Sequence, residues 1–208
     1  MAFTSPTTDD VQRIDRERFV LAQGALARAF LDYSLMQYVA PVAPRRAKGV
    51  SHLYGALLWD SLAHGEVYST PGVHGAACWL PPGRTTITLP RQARCGLAAL
   101  PLVFSVRGIA RLLRYDQVSR TLHHRYAPGP HWFLAALGVE PVWQGRGLGG
   151  ALIAPMLARA DAEGLPCYLD THDPVNVRLY EKHGFEVAER VDLPRDPVPV
   201  WGMLRRPR

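Results

Sequence analysis

Three glycines in WQGRGLGG, residues 143–150, are spaced to bind a phosphate group. Gly145, Gly147 and Gly150 fit the pattern G-x-G-x-x-G, and the hydrophobic pattern predicts that a helix begins inside this loop. Glycine lets the backbone approach a ligand closely, and the first amide groups of a helix have no partner within it. The helix dipole adds about half a positive charge there. The stretch therefore predicts an anion site.

A dinucleotide-binding fold is the first interpretation of this loop, because Asp170 follows the glycines by about twenty residues. Three features argue against it. Residues 140–144 separate the glycines from the preceding strand, whereas that fingerprint opens directly off its strand. The chain before the loop reads as helices and a hairpin, and the 38 residues after Asp170 are too few for the rest of a doubly wound sheet. Asp170 is interpreted as a strand-end residue near a site.

The residues around the loop resemble a different family. VEPVWQGRGLG, residues 139–149, is similar to the acyl-CoA signature Q/R-x-x-G-x-G/A of the GCN5-related N-acetyltransferases (GNAT), which Gln144, Gly147 and Gly149 match. A second signature of that family, N-x-x-x-Y-E-x-x-G-F, is matched by Asn176, Tyr180, Glu181, Gly184 and Phe185. Two signatures in order, joined by a predicted helix and strand, are more specific than the glycines alone.

Within this family, residues 131–204 resemble the puromycin N-acetyltransferase branch. The resemblance is carried by HWFLAALGVEPVWQGRGLGG, by YLDTHDPVNVRLYEKHGF and by the late WGM. Residues 1–130 resemble the branch only in outline. In this family the N-terminal half shapes the acceptor pocket. The well-matched residues 131–204 therefore give little information about which acceptor is used.

The resemblance implies a site for acetyl-CoA as acetyl donor. Residues 144–150 are expected to hold the pyrophosphate through backbone amides, with added charge from Arg146. The strand that ends at Val139 is expected to pair with the pantetheine arm, and the Val139 N–H is a candidate for polarising the thioester carbonyl. The expected cofactor-binding residues are Leu137, Val139, Gln144, Gly145, Arg146, Gly147, Gly149, Gly150, Asn176 and Tyr180.

Tyr180 is the first catalytic candidate, since the matching tyrosine of the family protonates the departing thiolate. A free phenol titrates near about 10 and a thiol near about 8.5, so a neutral phenol can donate at pH 7. The base is less defined. Glu140 follows the central strand and is a candidate to act directly or through water, with His172, Asp173, a backbone carbonyl and a water chain as rivals. Aromatic candidates for the acceptor pocket, each also typical of a core, are Tyr33, Trp79 and Trp132.

The elements that must position these residues follow from hydrophobic periodicity. Residues 9–30 and 46–64 are predicted to be helices, residues 66–69 and 75–80 a hairpin, and residues 91–124 mostly helical. The C-terminal half predicts strand 131–139, helix 147–163, strand 166–170, a helix from Asp173-Pro174 to Lys182, and strands 185–191 and 198–204.

Together with the resemblance, these elements predict an α/β GNAT fold. It would be a mixed, twisted sheet of about six to seven strands with helices on both faces and a splayed central strand pair that binds acetyl-CoA. We expect a single domain over residues 1–208. It would comprise an acceptor-shaping half, residues 1–130, an acetyl-CoA-binding half, residues 131–204, and a basic tail, residues 205–208.

Composition argues against several other classes. The chain has 208 residues, of which 48% are apolar and 20% charged, as in globular domains. The uncharged segment 96–106 is 11 residues long, whereas a membrane-spanning helix needs about 20. The N-terminus lacks the pattern of a signal peptide, so a cytoplasmic location without a membrane span is expected. The net charge of +6 comes without a basic block, so no nucleic-acid partner is expected. The spacing of the three cysteines predicts no metal site.

The sequence predicts an N-acetyltransferase that moves an acetyl group from acetyl-CoA to a primary amine of a small molecule, by direct attack in a ternary complex. Aminoacyl-type antibiotics are among the candidate acceptors. Two alternatives stay open: transfer to a protein lysine or N-terminus, and a non-catalytic acyl-CoA-binding regulatory domain. An open acidic groove would favour the protein acceptor, whereas a closed aromatic pocket would favour the small molecule. The oligomeric state is left open between a monomer and a homodimer.

Overall fold

The computed structural model describes residues 11–194 and 198–208. Its strands are β1 Gln12–Arg13, β2 Glu66–Ser69, β3 Gly75–Leu80, β4 Trp132–Val139, β5 Cys167–Thr171, β6 Glu186–Asp192 and β7 Pro199–Arg205. Its α-helices are α1 Phe19–Phe30, α2 Ser34–Val39, α3 Ala43–His64, α4 Leu89–Cys95, α5 Leu100–Val103, α6 Val106–Tyr126, α7 Leu148–Glu163 and α8 Pro174–Lys182. Short 3₁₀ turns cover Arg16–Arg18, Leu97–Ala99 and Pro141–Trp143.

The strands form one seven-stranded sheet in the order β1-β2-β3-β4-β5-β7-β6. The central neighbours β4 and β5 run parallel, and the other neighbouring pairs run antiparallel. Helices α1, α3 and α6 pack on one face of the sheet, and α7 and α8 pack on the other. The predicted mixed α/β sheet with helices on both faces is confirmed.

The parallel pair at the centre separates soon after it begins. Trp132 pairs with Cys167 and Phe133 pairs with Tyr168, and the ladder ends there although both strands continue. The rest of β4 therefore has a backbone edge that faces β5 without pairing with it. This is the splayed central strand pair that the sequence predicted.

A β-bulge in β4 accounts for the divergence. Cys78 of β3 lies opposite Ala136, while the next residue, Trp79, lies opposite Leu134, which leaves Ala135 as the extra residue of β4. A bulge disrupts the ladder locally and bends its strand. The bend directs the second half of β4 away from β5 and opens the sheet at its centre.

The N-terminal segment differs from its predicted structure. The helix predicted for residues 9–30 begins at Phe19, and residues 9 and 10 lie outside the described residues. Gln12 and Arg13 instead pair with β2, and the Ile14 N–H donates to the Val67 carbonyl at 2.8 Å. The free edge of β2 offers unpaired backbone groups that a helix would leave unsatisfied, and this tertiary pairing overrides the local helical pattern.

Candidate active site

The glycine loop lies just beyond β4, and α7 begins directly after it with Gly147 as its N-cap. Gly145 and Gly147 have φ values of +74° and +80°, in the left-handed region that other residues rarely adopt. A Cβ at either position would meet no heavy atom within 4 Å. These two glycines are therefore required by the backbone conformation, and the open space beside them adjoins the unpaired amides that begin α7.

The next two glycines serve the packing of helices. A Cβ at Gly149 would lie 3.3 Å from Leu179, and a Cβ at Gly150 would lie 2.4 Å from the His183 ring. The lack of side chains at Gly149 and Gly150 therefore lets the start of α7 approach the end of α8. The four glycines of this loop thus divide into two pairs with different physical roles.

Two side chains of the loop, Gln144 and Arg146, differ in their contacts. Gln144 Nε2 donates to the Val139 carbonyl at 2.9 Å and so fixes the chain as it leaves β4. The exposed Arg146 guanidinium lies 5.1 Å from the centre of the Trp143 ring, on the outside of the loop. Gln144 has a structural contact, while Arg146 keeps its charge available to an anion.

The free edge of β4 presents backbone donors to the opening. The Glu140 N–H donates to the His74 carbonyl at 2.9 Å, on the side of β3. Because successive N–H groups of a strand point to alternate sides, the Leu137 and Val139 N–H groups point away from β3. Both face the gap between β4 and β5, where an extended ligand can pair with the strand.

A cavity of about 470 Å³ lies where β4 and β5 diverge. Its walls come from α1, α3, α6, α8 and the two strands, and they are mainly apolar. Aromatic side chains in the wall are Phe30, Tyr33, Tyr54, Tyr115, Phe133 and Tyr180. Of the three aromatic candidates, Tyr33 lines the cavity, whereas Trp79 and Trp132 are buried in the core beneath α7.

Tyr180 projects from α8 into this cavity. Its side chain is buried, with its ring 5.7 Å from the Phe185 ring in an edge-on arrangement. Burial raises the pKa of Tyr180 well above the usual range, so the phenol is neutral at pH 7. Within residues 11–194 and 198–208 its hydroxyl has no hydrogen-bond partner, which leaves the proton available for donation.

Tyr33, the N-cap of α2, connects the turn between α1 and α2 with the end of β5 and the start of α8. Its hydroxyl accepts a hydrogen bond from the His172 N–H at 2.9 Å and lies 3.1 Å from Thr171 Oγ1. Burial raises the pKa of Tyr33, although its hydrogen bonds with Thr171, His172 and the Asn176 side chain each lower it. Asn176, in the first turn of α8, also lines the cavity, so this network links the start of α8 to the end of β5.

Glu140 lies outside the cavity wall and is paired with Arg28 of α1. The Arg28 Nε lies 3.0 and 2.9 Å from its two carboxylate oxygens. The structure therefore does not bring Glu140 to Tyr180, and it gives this carboxylate a structural partner. Glu140 directly follows β4, and its N–H donates to the His74 carbonyl on the side of β3.

The two rival bases also have structural partners. His172 lines the cavity and donates from Nδ1 to the Pro199 carbonyl at 3.3 Å, and burial lowers its pKa to about 4. It is therefore neutral and weakly basic at pH 7. The carboxylate of Asp173 caps α8, because its Oδ1 accepts the Val175 N–H at 2.8 Å.

Asp170 of β5 is the cavity carboxylate to which the sequence assigned no role. Ser119 Oγ donates to its Oδ2 at 2.6 Å, and the Tyr168 hydroxyl donates to its Oδ1 at 3.0 Å. Burial raises its pKa to about 6. The sequence held one signal for it, a carboxylate within the otherwise buried strand Cys167–Thr171.

In the part of the chain that the structure describes, no three His, Cys, Asp or Glu side chains are placed to hold a metal ion.

Comparisons with known proteins agree with this geometry. The sequence model described as "Acetyltransferase (GNAT) family" matches residues 104–185. An uncharacterized N-acetyltransferase of Schizosaccharomyces pombe is 26% identical over 206 residues, covering 94% of this chain and 83% of that protein.

Two solved structures share the fold across nearly the whole chain. One is described as histone acetyltransferase HPA2 and related acetyltransferase, from Corynebacterium glutamicum, with a TM-score of 0.70, 19% identity and coverage of 99% of this chain and 98% of that one. The other is a polyamine N-acetyltransferase of Drosophila melanogaster, with a TM-score of 0.59, 16% identity and coverage of 94% and 98%. The fold is that of the GNAT acetyltransferases, and the family match covers the part of the chain that contains β4, the glycine loop, β5 and α8.

Proposed function

We propose that this protein transfers an acetyl group from acetyl-CoA to a primary amine of a small molecule. The observation that carries the proposal is that the gap between β4 and β5 connects the glycine loop with the cavity. One end of the gap between β4 and β5 meets a glycine loop with left-handed glycines, and the other end opens into a cavity lined by aromatic side chains, among them Tyr180. A phosphate site and a proton donor are thus joined by a strand edge with free backbone groups.

The loop fixes the direction in which the donor would lie. Amides of residues 144–150 hold the pyrophosphate, with Arg146 adding charge and Gln144 keeping the loop against β4. From there the pantetheine arm runs back along β4, pairing with the Leu137 and Val139 backbones. Asn176 lies beside this path on α8. The acetyl group then lies toward the bulge at Ala135, within the cavity.

Transfer proceeds by direct attack of the amine on the thioester carbonyl. A backbone N–H of the free β4 edge, with Val139 as the first candidate, polarises that carbonyl; losing such a donor typically costs about 3 kcal/mol. Tyr180 gives its phenolic proton to the departing sulfur. Its burial keeps the phenol protonated until the thiolate forms.

The cavity favours a small molecule over a protein acceptor. Its wall is mainly apolar and is formed in part by α3, α6 and the segment between residues 85 and 101, which suits a small molecule with an apolar body better than an extended peptide. The Drosophila structure is of an enzyme that forms N-acetylagmatine, the acetylated form of a small amine. Puromycin stays among the acceptors to test because residues 131–204 resemble that branch.

Two measurements test the proposal. Acetyl-CoA at about 100 times its Kd should raise the stability of the protein by about 2.7 kcal/mol in a thermal-shift titration, whereas NAD should not. Thiol release should then follow addition of an amine from a panel of agmatine, 2-phenylethylamine, tryptamine and puromycin. Absence of stabilisation by acetyl-CoA contradicts the proposal. Stabilisation without thiol release from any amine favours a non-catalytic acyl-CoA-binding domain instead.

A further inference from the structure

We infer that Asp170 binds the cationic amine of the acceptor and receives its proton, and that the acceptor is a primary amine on an apolar or aromatic body. The inference rests on the proposed function, because it names the substrate class of the same site. It begins from a carboxylate in the cavity wall that neither sequence signature contains.

Asp170 lies at the inner end of the opened sheet. It is two residues beyond Tyr168, the last residue of β5 that pairs with β4, and therefore stands at the level of the bulge at Ala135. Protein surrounds its side chain, and the surface that it retains belongs to the cavity wall. A thioester carried along β4 from the glycine loop would reach this level.

The charge of Asp170 has no counter-charge among the described residues. Its hydrogen-bond donors are the hydroxyls of Ser119 and Tyr168, with a further bond from Tyr115, and all three are neutral. Buried carboxylates are normally paired with a cation. An ammonium group from the cavity would supply the missing charge.

The other charged groups of the cavity do not compete for this role. Asp116 is paired with Arg120 at 2.8 Å, and both side chains are about half exposed. Burial lowers the pKa of His123 and of His172 to about 4, so neither ring is cationic at pH 7. Asp170 is thus the buried carboxylate that faces the cavity and has no cationic partner in the part of the chain described.

The same environment suits proton transfer. Because burial raises the pKa of Asp170 to about 6, the group is ionised at pH 7 yet more basic than an exposed aspartate. The ammonium loses one proton to Asp170, and the free amine then forms the N–C bond as the C–S bond breaks. Tyr180 gives its proton to the sulfur, and the second proton lost by the nitrogen restores the phenol. Asp170 releases its proton to solvent.

The remaining wall sets the body of the acceptor. Side chains of Leu53, Leu100, Ile109 and Leu112 surround the cavity with Phe30. Its volume of about 470 Å³ is within the range of sites for small organic ligands. An aryl or alkyl monoamine fits this lining, whereas an amine that also carries a carboxylate would place a second negative charge beside Asp170.

A binding experiment separates recognition from turnover. The protein saturated with coenzyme A is titrated with 2-phenylethylamine, tryptamine and 3-methylbutylamine, and with the neutral alcohols 2-phenylethanol, tryptophol and 3-methylbutanol, by calorimetry at pH 7.5. The wild type should bind at least one amine about tenfold or more tighter than the alcohol of the same shape. Asp170→Asn should lose that preference while binding the alcohol as the wild type does.

Matched variants make the outcome specific. Asp116→Asn changes a paired carboxylate of the same cavity, and Asp192→Asn changes a carboxylate on β6 that is paired with Arg190. The preference for the amine should persist in both variants. Its survival in Asp170→Asn, its equal loss in Asp116→Asn, or its absence from every wild-type pair overturns the inference.

Turnover distinguishes this inference from the proposed function. Asp170→Asn should lower kcat/KM for the preferred amine by about 100-fold or more with little change in the Kd of acetyl-CoA. Wild-type turnover in Asp170→Asn overturns the inference and leaves the acetyltransferase function intact. Amine binding that depends on Asp170, without thiol release, contradicts the acetyltransferase function and supports the recognition role.

Discussion

The hydroxyl of Tyr33 accepts a hydrogen bond from the backbone N–H of His172 at 2.9 Å, across 139 positions of sequence. The contact joins the start of α2, in the half expected to shape the acceptor pocket, to the end of β5 in the half expected to bind the donor. It lies where the sheet is already open, and there it replaces some of the pairing that the splay removes. One side chain thus helps to set the width of the opening that both substrates would share.

Removing this hydroxyl should loosen the opening without unfolding the protein. Tyr33→Phe deletes hydrogen bonds to His172 and Thr171, so we expect a loss of about 1–3 kcal/mol in the free energy of unfolding. KM for the amine should rise more than KM for acetyl-CoA, as measured by thiol release. Tyr54→Phe is the control, since it removes a buried hydroxyl from the same wall. Equal effects of the two variants would contradict a connecting role for Tyr33.

Tyr180→Phe should affect chemistry and leave binding unchanged. The hydroxyl has no hydrogen-bond partner among residues 11–194 and 198–208, and the ring contact with Phe185 is kept in the variant. We expect kcat to fall by about 100-fold or more, with the Kd of acetyl-CoA and the unfolding temperature near wild type. A parallel loss of acetyl-CoA affinity would show that Tyr180 serves binding rather than proton donation.

Gly147→Ala should weaken donor binding through the backbone. At a φ of +80° an alanine costs about 1–2 kcal/mol, and the loop would relax to a conformation that no longer directs its amides outward. Gly164→Ala is a matched control, because Gly164 has a φ of +66°, also has open space beside it, and lies at the far end of α7. Both variants should lose similar stability, but only Gly147→Ala should raise KM for acetyl-CoA, by about tenfold. An unchanged KM would exclude the loop as the pyrophosphate site.

Glu140→Gln tests whether this carboxylate has a part in catalysis. Its ion pair with Arg28 is largely exposed on the arginine side, so the change should cost less than about 1 kcal/mol of stability. Because Glu140 lies outside the cavity wall, we expect kcat within about threefold of wild type. Arg28→Met, which breaks the same pair from the other side, serves as the control. A fall of kcat by about 100-fold in Glu140→Gln alone would instead identify Glu140 as the base, acting through water.

Local patterns predicted the elements from β4 to α8 well, because these elements follow one another along the chain. The glycine loop, α7, β5 and α8 are consecutive, and the Asp173 cap and the two left-handed glycines are local devices. The acceptor side depends on contacts between distant segments. Ser119 precedes Asp170 by 51 positions, and no local pattern in α6 indicates which residue will face that carboxylate. The pairing of Arg28 with Glu140 was unpredictable for the same reason.

The free energy of unfolding should depend on pH because Asp170 titrates in the folded protein. Burial raises the pKa of Asp170 to about 6, so the folded protein holds this proton more tightly than the unfolded chain. The contribution of this bound proton to the free energy of unfolding is therefore fully present in acid, and it is lost as the pH rises through about 6. Because a free aspartate has a pKa of about 4, the stability lost by neutral pH is at most about 3 kcal/mol.

Asp170→Asn removes that titration, although the amide keeps one acceptor oxygen for Ser119, Tyr168 and Tyr115 where the carboxylate has two. The groups facing the site are Ser119, Tyr115 and the Asp116–Arg120 ion pair from α6, Tyr168 from β5, and the neutral cavity rings His123, His172, Tyr33 and Tyr180. The unfolding temperature of the variant minus that of the wild type should rise between pH 4.5 and pH 8. Asp192→Asn, an exposed change, should show a flat difference over that range. A flat difference for Asp170→Asn as well would mean that Asp170 carries no buried charge in the folded protein.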